Sequence, residues 1–194
     1  IPALSIKAGQ HIAVLGVNGS GKSTLLKVLS GLHRPTSGRV LIDGIDMGQV
    51  MARDLRRGIG YLSQEVRLFA GTLRENLNLT LLERDDDRFL AALDFAGLGD
   101  FVRNHPKGLD LDIRDGGEGL SVGQRQSIGW ARLWLQDSRV CRLAGRTAII
   151  ATHRVPILQL TDRTMILQNG RLTVDGPRDQ VLAHMRGTQN KAAS

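Results

Sequence analysis

Cysteine occurs once in this 194-residue chain, at Cys141, so no intrachain disulfide can form. Its apolar, strand-like neighbours predict a buried thiol, which suits a reducing cytosol. Aromatic residues make up only 4% of the sequence. That scarcity argues against a protein that stacks the bases of single-stranded nucleic acid on its rings. No run approaches the roughly 18 consecutive apolar residues of a membrane helix, so we expect the chain itself not to span a membrane. A signal-peptide pattern is missing, and Ile1-Pro2 stands where an initiating Met would be. The chain therefore reads as a piece of something longer. Internal repeats, low-complexity tracts and sustained a/d heptads are missing too.

What is present is an ordinary globular composition. Hydrophobic residues account for 41% and charged residues for 23%, on a length that one domain with a sizeable core would fill. Net charge is +7, from 26 Lys+Arg against 19 Asp+Glu. That balance fits a solvated basic surface as well as a polyanionic ligand or an anionic membrane face, and charge alone does not choose.

Apolar patterning alternates strands with helices. "HIAVL", 11–15, reads as a short buried strand, and a helical stripe follows at Leu25, Val28, Leu29 and Leu32, stopped around Gly31 and Pro35. "GRVLIDGIDM" reads as a strand with an Asp-Gly turn, and "GIGYLSQ", 58–64, as a further strand. A mostly helical region over about 72–104 opens on the capping-box pattern Thr72-Leu73-Arg74-Glu75. Asp85, Asp86 and Asp87 precede Phe89, Leu90, Leu93 and Ala96. They fit a helix start, favoured by its dipole, better than a metal site. A striped helix spans 120–136, the strand "TAIIATH" ends at His153, and Asn169-Gly170 forms a hairpin turn before a last helix at about 177–186. This order predicts an α/β fold with a mostly parallel central sheet, an antiparallel portion and a helical insertion. We expect one domain over 1–186, its helical subdomain at about 72–136, and a flexible polar tail at 187–194.

"GVNGSGKS", 16–23, matches G-x-x-x-x-G-K-[ST] between a strand and a helix, the setting of a phosphate loop. Gly16, Gly19 and Gly21 let the backbone wrap an anion without Cβ clashes, with several N–H groups pointing inward. The following helix directs its positive end at the same anion. Lys22 would reach the β- and γ-phosphates, and the Ser23 hydroxyl would coordinate Mg²⁺. These residues predict a nucleoside triphosphate site.

A second helix start, "LSVGQRQ", pairs Ser121 with Gln124 in another capping-box pattern and sets Gly123 between them. Taken alone it is a capped helix or a further anion reader. His153 ends a strand, where open α/β sheets place ligands, although a lone strand-end His is more often structural. Four motifs occur in order along the chain: "GVNGSGKST" (Walker A), "YLSQ" with Gln64 (Q-loop), "LSVGQ" (the signature, normally LSGGQ, with Val122 replacing a Gly) and "ATH" with His153 (H-loop). In these the chain resembles the nucleotide-binding domain of ABC transporters over nearly its whole length. "HPKGLDLDIRDGGEGLSVGQRQ" is similar to the approach to the signature in exporters with fused transmembrane segments, especially type I secretion exporters of the haemolysin-exporter kind.

The resemblance implies a P-loop NTPase cassette that binds ATP with Mg²⁺ in a head-to-tail homodimer. Gly16, Asn18, Gly19, Ser20, Gly21, Lys22, Ser23 and Thr24 would hold the phosphates, and Ser121, Gly123 and Gln124 of the other subunit would close on them. Gln64, like Ser23, would touch Mg²⁺, or else the attacking water, and His153 would contact the γ-phosphate. The resemblance further implies a transmembrane partner domain fused upstream and a place on the cytoplasmic face of the inner (plasma) membrane. ATP hydrolysis would power export of a protein or peptide, with no nucleic acid partner.

One part of the family pattern is missing. There, an apolar strand ends in Asp, followed by the Glu that polarises water and a short loop with another Asp (Walker B to D-loop). No run of four apolar residues here ends in Asp-Glu; "VLID", 40–43, comes too early and is followed by Gly44. The matching strand would begin at "RVC", 139–141. Chain geometry argues separately. Only Arg142, Leu143, Ala144, Gly145 and Arg146 separate the runs Val140-Cys141 and Thr147–Ala151. Parallel neighbouring strands need a crossover of about a dozen residues or more. Either the runs are not parallel neighbours, or a linking segment of a couple of dozen residues is absent, and we expect the second, with the fold interrupted around 141–142. Lacking that Asp and Glu, the chain should bind ATP weakly and hydrolyse it hardly at all. The alternative reading is a non-hydrolysing nucleotide-binding module. A DNA-repair or chromosome-organising ATPase would need long heptad arms, which are absent. The family's adenine-stacking aromatic would lie before Ile1, and Tyr61 is not assigned to adenine.

Overall fold

The computed structural model describes residues 1–79, 83–136, 145–152, 158–183 and 185. The readings made at Cys141 and His153, and the tail over 187–194, lie outside them. The chain divides into two compact units, residues 1–55 with 142–194, and residues 56–141. In order, the elements are β1 (His11–Leu15), α1 (Lys22–Leu29), β2 (Leu41–Ile42), β3 (Ile45–Asp46), α2 (Ala52–Gly58), β4 (Gly71–Thr72), α3 (Leu73–Leu77), α4 (Asp86–Phe95), α5 (Gly99–Asn104), β5 (Asp112–Ile113), α6 (Val122–Gln136), β6 (Ala148–Ala151), β7 (Arg163–Gln168) and β8 (Arg171–Pro177). Residues 178–183 are again helical.

The first unit is built on a four-stranded sheet in the order β6-β1-β7-β8. β1 runs parallel to both neighbours, with His11 opposite Ala148 and Ile12 opposite Arg163. A strand covered on both faces reads as a continuous apolar run, which is what "HIAVL" is. On one face Ile12, Val14, Met165 and Leu167 pack with Leu25 of α1; on the other, Ala13 and Leu15 pack with Leu158, Ile166 and Leu182. β8 returns antiparallel to β7 around Asn169 (φ 49°) and Gly170 (φ 76°). Two successive left-handed residues make the tight turn that suits twisted strands. Asp43 (φ 50°) and Gly44 (φ 81°) repeat the device between β2 and β3.

The second unit is mainly helical. Its core gathers Leu73, Leu77, Phe89, Leu93, Val102 and Ile128, among others. Thr72 and Glu75 cap α3 reciprocally, as the sequence predicts. Asp85 caps α4 by accepting from the Asp87 N–H at 3.0 Å, so the Asp triplet serves as a helix start. Among the described residues, no group of three His, Cys, Asp or Glu is placed to hold a metal ion. None of their helices is long and apolar enough to cross a membrane.

The strand expected over 58–64 does not form: Gly58 belongs to α2, and 59–63 join no ladder. A strand exists only when its N–H and C=O groups are paired. No described strand pairs with these residues.

Candidate functional site

Between β1 and α1 the backbone folds back at glycines in the left-handed region. Gly16 has φ 149°, Gly19 φ 78° and Gly21 φ 99°. At Gly16 the requirement is double, because a Cβ would run into the Leu167 carbonyl oxygen and Ser20 Oγ. Gly21 directly precedes α1, and no side chain caps that helix. α3 and α4, by contrast, carry Thr72 and Asp85 as caps. An uncapped helix start keeps its first N–H groups available to an external acceptor, with the helix dipole behind them.

Lys22 folds back over this loop. Its Nζ donates to Gly16 O at 2.6 Å and Val17 O at 2.9 Å, and lies 3.4 Å from Ser20 Oγ. Ser20 is buried to 1% exposure; its N–H donates to Val17 O, and its carbonyl accepts from Gly170 N–H at 3.0 Å. Asn18, Ser23 and Thr24 are exposed. All eight predicted phosphate-loop residues therefore meet at one end of the first unit's sheet, an ammonium and an uncapped helix start among them.

The signature residues lie in the second unit. Gln124 N–H donates to Ser121 Oγ at 3.1 Å, and Ser121 N–H donates to Gln124 Oε1 at 2.8 Å. The predicted capping box thus forms at the start of α6. Gly123 has no positive φ, and the nearest atom to a Cβ there would be Ser121 Oγ at 3.8 Å. Nothing in this chain's own backbone demands glycine at that position. Val122 beside it is 68% exposed.

Gln64 is exposed in the same unit, and its carbonyl accepts from Gln126 Nε2 on α6. Arg132, six residues on along α6, donates to Arg67 O at 2.9 Å, Asn76 O at 2.7 Å and Asn76 Oδ1 at 3.0 Å. Burial pulls its guanidinium pKa down, though not enough to discharge an arginine. The signature helix therefore holds both ends of the Gln64–Arg67 segment. The sequence reading missed Gln126, Arg132 and the buried Asn76, because side-chain bonds to carbonyls some sixty residues away leave no local pattern. Tyr61 lines a cavity of about 210 Å³ with Val66, Leu77, Gly129 and Arg132.

The ABC transporter family model matches residues 2–143. The chain belongs to the ABC transporter family. This ABC transporter chain is 34% identical to the ATP-dependent lipid A-core flippase of Ralstonia nicotianae, over 92% of its own length and 35% of the flippase. It is also 34% identical to the cyclolysin secretion/processing ATP-binding protein CyaB of Bordetella pertussis, over 93% of its length and 29% of CyaB. Among solved structures it matches a bacterial Atm1-family ABC exporter with ATP bound, with a TM-score of 0.84 and 26% identity, covering 96% of this chain and 37% of that one. The fold is accordingly the nucleotide-binding fold of ABC exporters, and the chain spans about a third of the length of the curated relatives it matches. The CyaB alignment has 204 positions, whereas 93% of 194 residues is about 180. About two dozen positions of CyaB thus face no residue of this ABC transporter chain, and the flippase alignment leaves a similar number.

Proposed function

We propose that this chain is the ATP-binding domain of an ABC exporter, residues 1–186 with a flexible tail at 187–194, which couples ATP binding and hydrolysis in its parent protein to export of a protein or peptide. The observation that carries the reading is the phosphate loop: left-handed glycines, an uncapped α1, and the Lys22 ammonium lying on the Gly16 and Val17 carbonyls. When ATP binds, the ammonium exchanges those carbonyls for β- and γ-phosphate oxygens, and the first N–H groups of α1 take the rest. Mg²⁺, when bound, neutralises phosphate charge. The exposed Ser23 hydroxyl suits such a hard, oxygen-seeking cation, and by the family resemblance Gln64 would offer a carboxamide oxygen to it or to the attacking water. His153 would meet the γ-phosphate.

A second copy would close the site head to tail with Ser121, Gly123 and Gln124. Gly123, which its own helix does not require, supports a surface where bare backbone approaches a ligand. Relatives about three times longer support a transmembrane domain fused upstream, and with it the cytoplasmic face of the inner (plasma) membrane. The secretion role in the name of CyaB supports the type I secretion reading. Two dozen unmatched positions, beside a five-residue link after Cys141, support a missing Walker B to D-loop segment.

The test titrates MgATP against the purified chain and against the same chain with that segment restored. Saturable binding is expected in both, weaker in the chain as it stands, with phosphate release only after restoration. Binding that survives Lys22→Ala would overturn the nucleotide reading; turnover without the segment would overturn the site assignment.

A further inference from the structure

We propose that the Asn169-Gly170 turn of the β7–β8 hairpin is a positioning element for the phosphate loop, with the Gly170 N–H fixing the Ser20 carbonyl and thereby the shape the loop presents to phosphate. The proposal rests on the reading of residues 16–24 as the phosphate site.

The loop has little backbone pairing of its own. Among the described residues, Ser20 N–H donates to Val17 O at 3.1 Å and Leu25 N–H to Gly21 O at 2.9 Å, and further bonds come from Lys22 and from the hairpin. The β1–β7 ladder runs to Leu15 opposite Ile166, where β1 ends. β7 continues to Gln168 and turns at Asn169-Gly170. The hairpin end thus carries on where β1 stops, and it meets the loop at three points. Leu167 O occupies the space a Gly16 Cβ would need. Gly170 Cα lies 3.5 Å from where a Gly21 Cβ would sit. Gly170 N–H reaches Ser20 O at 3.0 Å, in a residue that is 1% exposed. A backbone carbonyl in so buried a residue cannot fall back on water, so losing that donor would move the loop rather than merely rehydrate it. The hairpin thus packs against two of the three loop glycines, tightly at Gly16 and in ordinary contact at Gly21, and the donor sits at φ 76° within the turn.

A matched pair of substitutions separates this role from ordinary turn strain. Gly170 (φ 76°) and Gly44 (φ 81°) each follow an Asx residue at positive φ in a two-residue turn, and at neither would a Cβ meet an atom within 4 Å. Alanine imposes the same left-handed strain at both. The readouts are the Kd for MgATP and the Tm of each variant. Gly170→Ala is expected to raise Kd roughly fivefold while Gly44→Ala leaves it unchanged, with similar losses in Tm. Equal Kd values in the two variants, with binding still abolished by Lys22→Ala, would overturn the proposal and spare the nucleotide reading. Binding that survives Lys22→Ala would sink that reading itself.

Should Gly170→Ala fail to fold, hydrogen exchange on the unaltered chain decides. Saturating MgATP should slow exchange of the Gly170 amide along the same titration as the amides of 19–23. Slowing confined to 19–23 would refute the positioning role, and no slowing anywhere would refute the phosphate site.

Discussion

Thr164, on β7 opposite Ala13 of β1, is fully buried with a hydroxyl that makes no hydrogen bond. An unsatisfied buried donor is worse than none, because its desolvation is never recovered. Valine has the same shape without the oxygen. Thr164→Val is therefore expected to stabilise the chain by about 1 kcal/mol, which for a chain of this size raises Tm by roughly 2–4 °C. Calorimetry on the two forms checks it, and a lower Tm in the variant would contradict it. A sequence pattern can carry only those bonds whose partners are near in the chain. Lys22 reaches no farther than Gly16, and Ser121 and Gln124 bond each other across a single helical turn. Ser20 depends on Gly170, and Gln64 on Gln126, through bonds that only the tertiary fold creates. No local signal announces them.

Elements were legible where they carry their own punctuation. The Thr72 and Ser121 capping boxes and the Asn169-Gly170 turn all appear as expected, since each is a contract among three or four consecutive residues. "GIGYLSQ" has the composition of a strand, but composition cannot supply a neighbour, and 59–63 stay unladdered. α2 went unread because its seven residues, "ARDLRRG", carry one large apolar side chain and so no periodicity.

Ion pairs within the second unit give a pH prediction. Hydrogen bonds from Arg74, Arg103 and Lys107 hold Asp86, Asp94 and Asp112 respectively below the usual carboxylate range. Folded carboxylates that resist protonation add stability present above the unfolded value of about 3.9 and lost as pH falls through their lowered folded values. Stability of this unit should thus be level from about pH 5 upward and decline below about pH 4. Added salt should blunt the decline, because the pairs are exposed. Circular dichroism melts across pH 2–7 measure this; a flat profile down to pH 2 would mean the pairs contribute nothing, and Asp86→Asn should shallow the acid limb.

At the scale of the molecule, the proposal of a missing Walker B to D-loop segment makes a prediction of its own. Among the described residues, 59–63 have strand composition and join no ladder, and β6 pairs with β1 alone, while about two dozen positions of the relatives face no residue of this chain. Unpaired strand edges leave backbone groups unsatisfied and invite association with other chains. Inserting a Walker B to D-loop segment of about two dozen residues after Cys141 should act in two independent ways. As backbone, the segment should raise Tm by several degrees and reduce aggregation on heating, through paired N–H and C=O groups and buried apolar surface. As chemistry, it should bring the carboxylates that phosphate release requires, a general base being worth about 10² to 10⁴ in rate. Changing the restored Glu to Gln separates the two effects, since it should keep the gain in Tm and the MgATP affinity while phosphate release falls back to the level of the unrestored chain. If the insertion leaves Tm unchanged, the proposal of a missing segment between Cys141 and Thr147 fails.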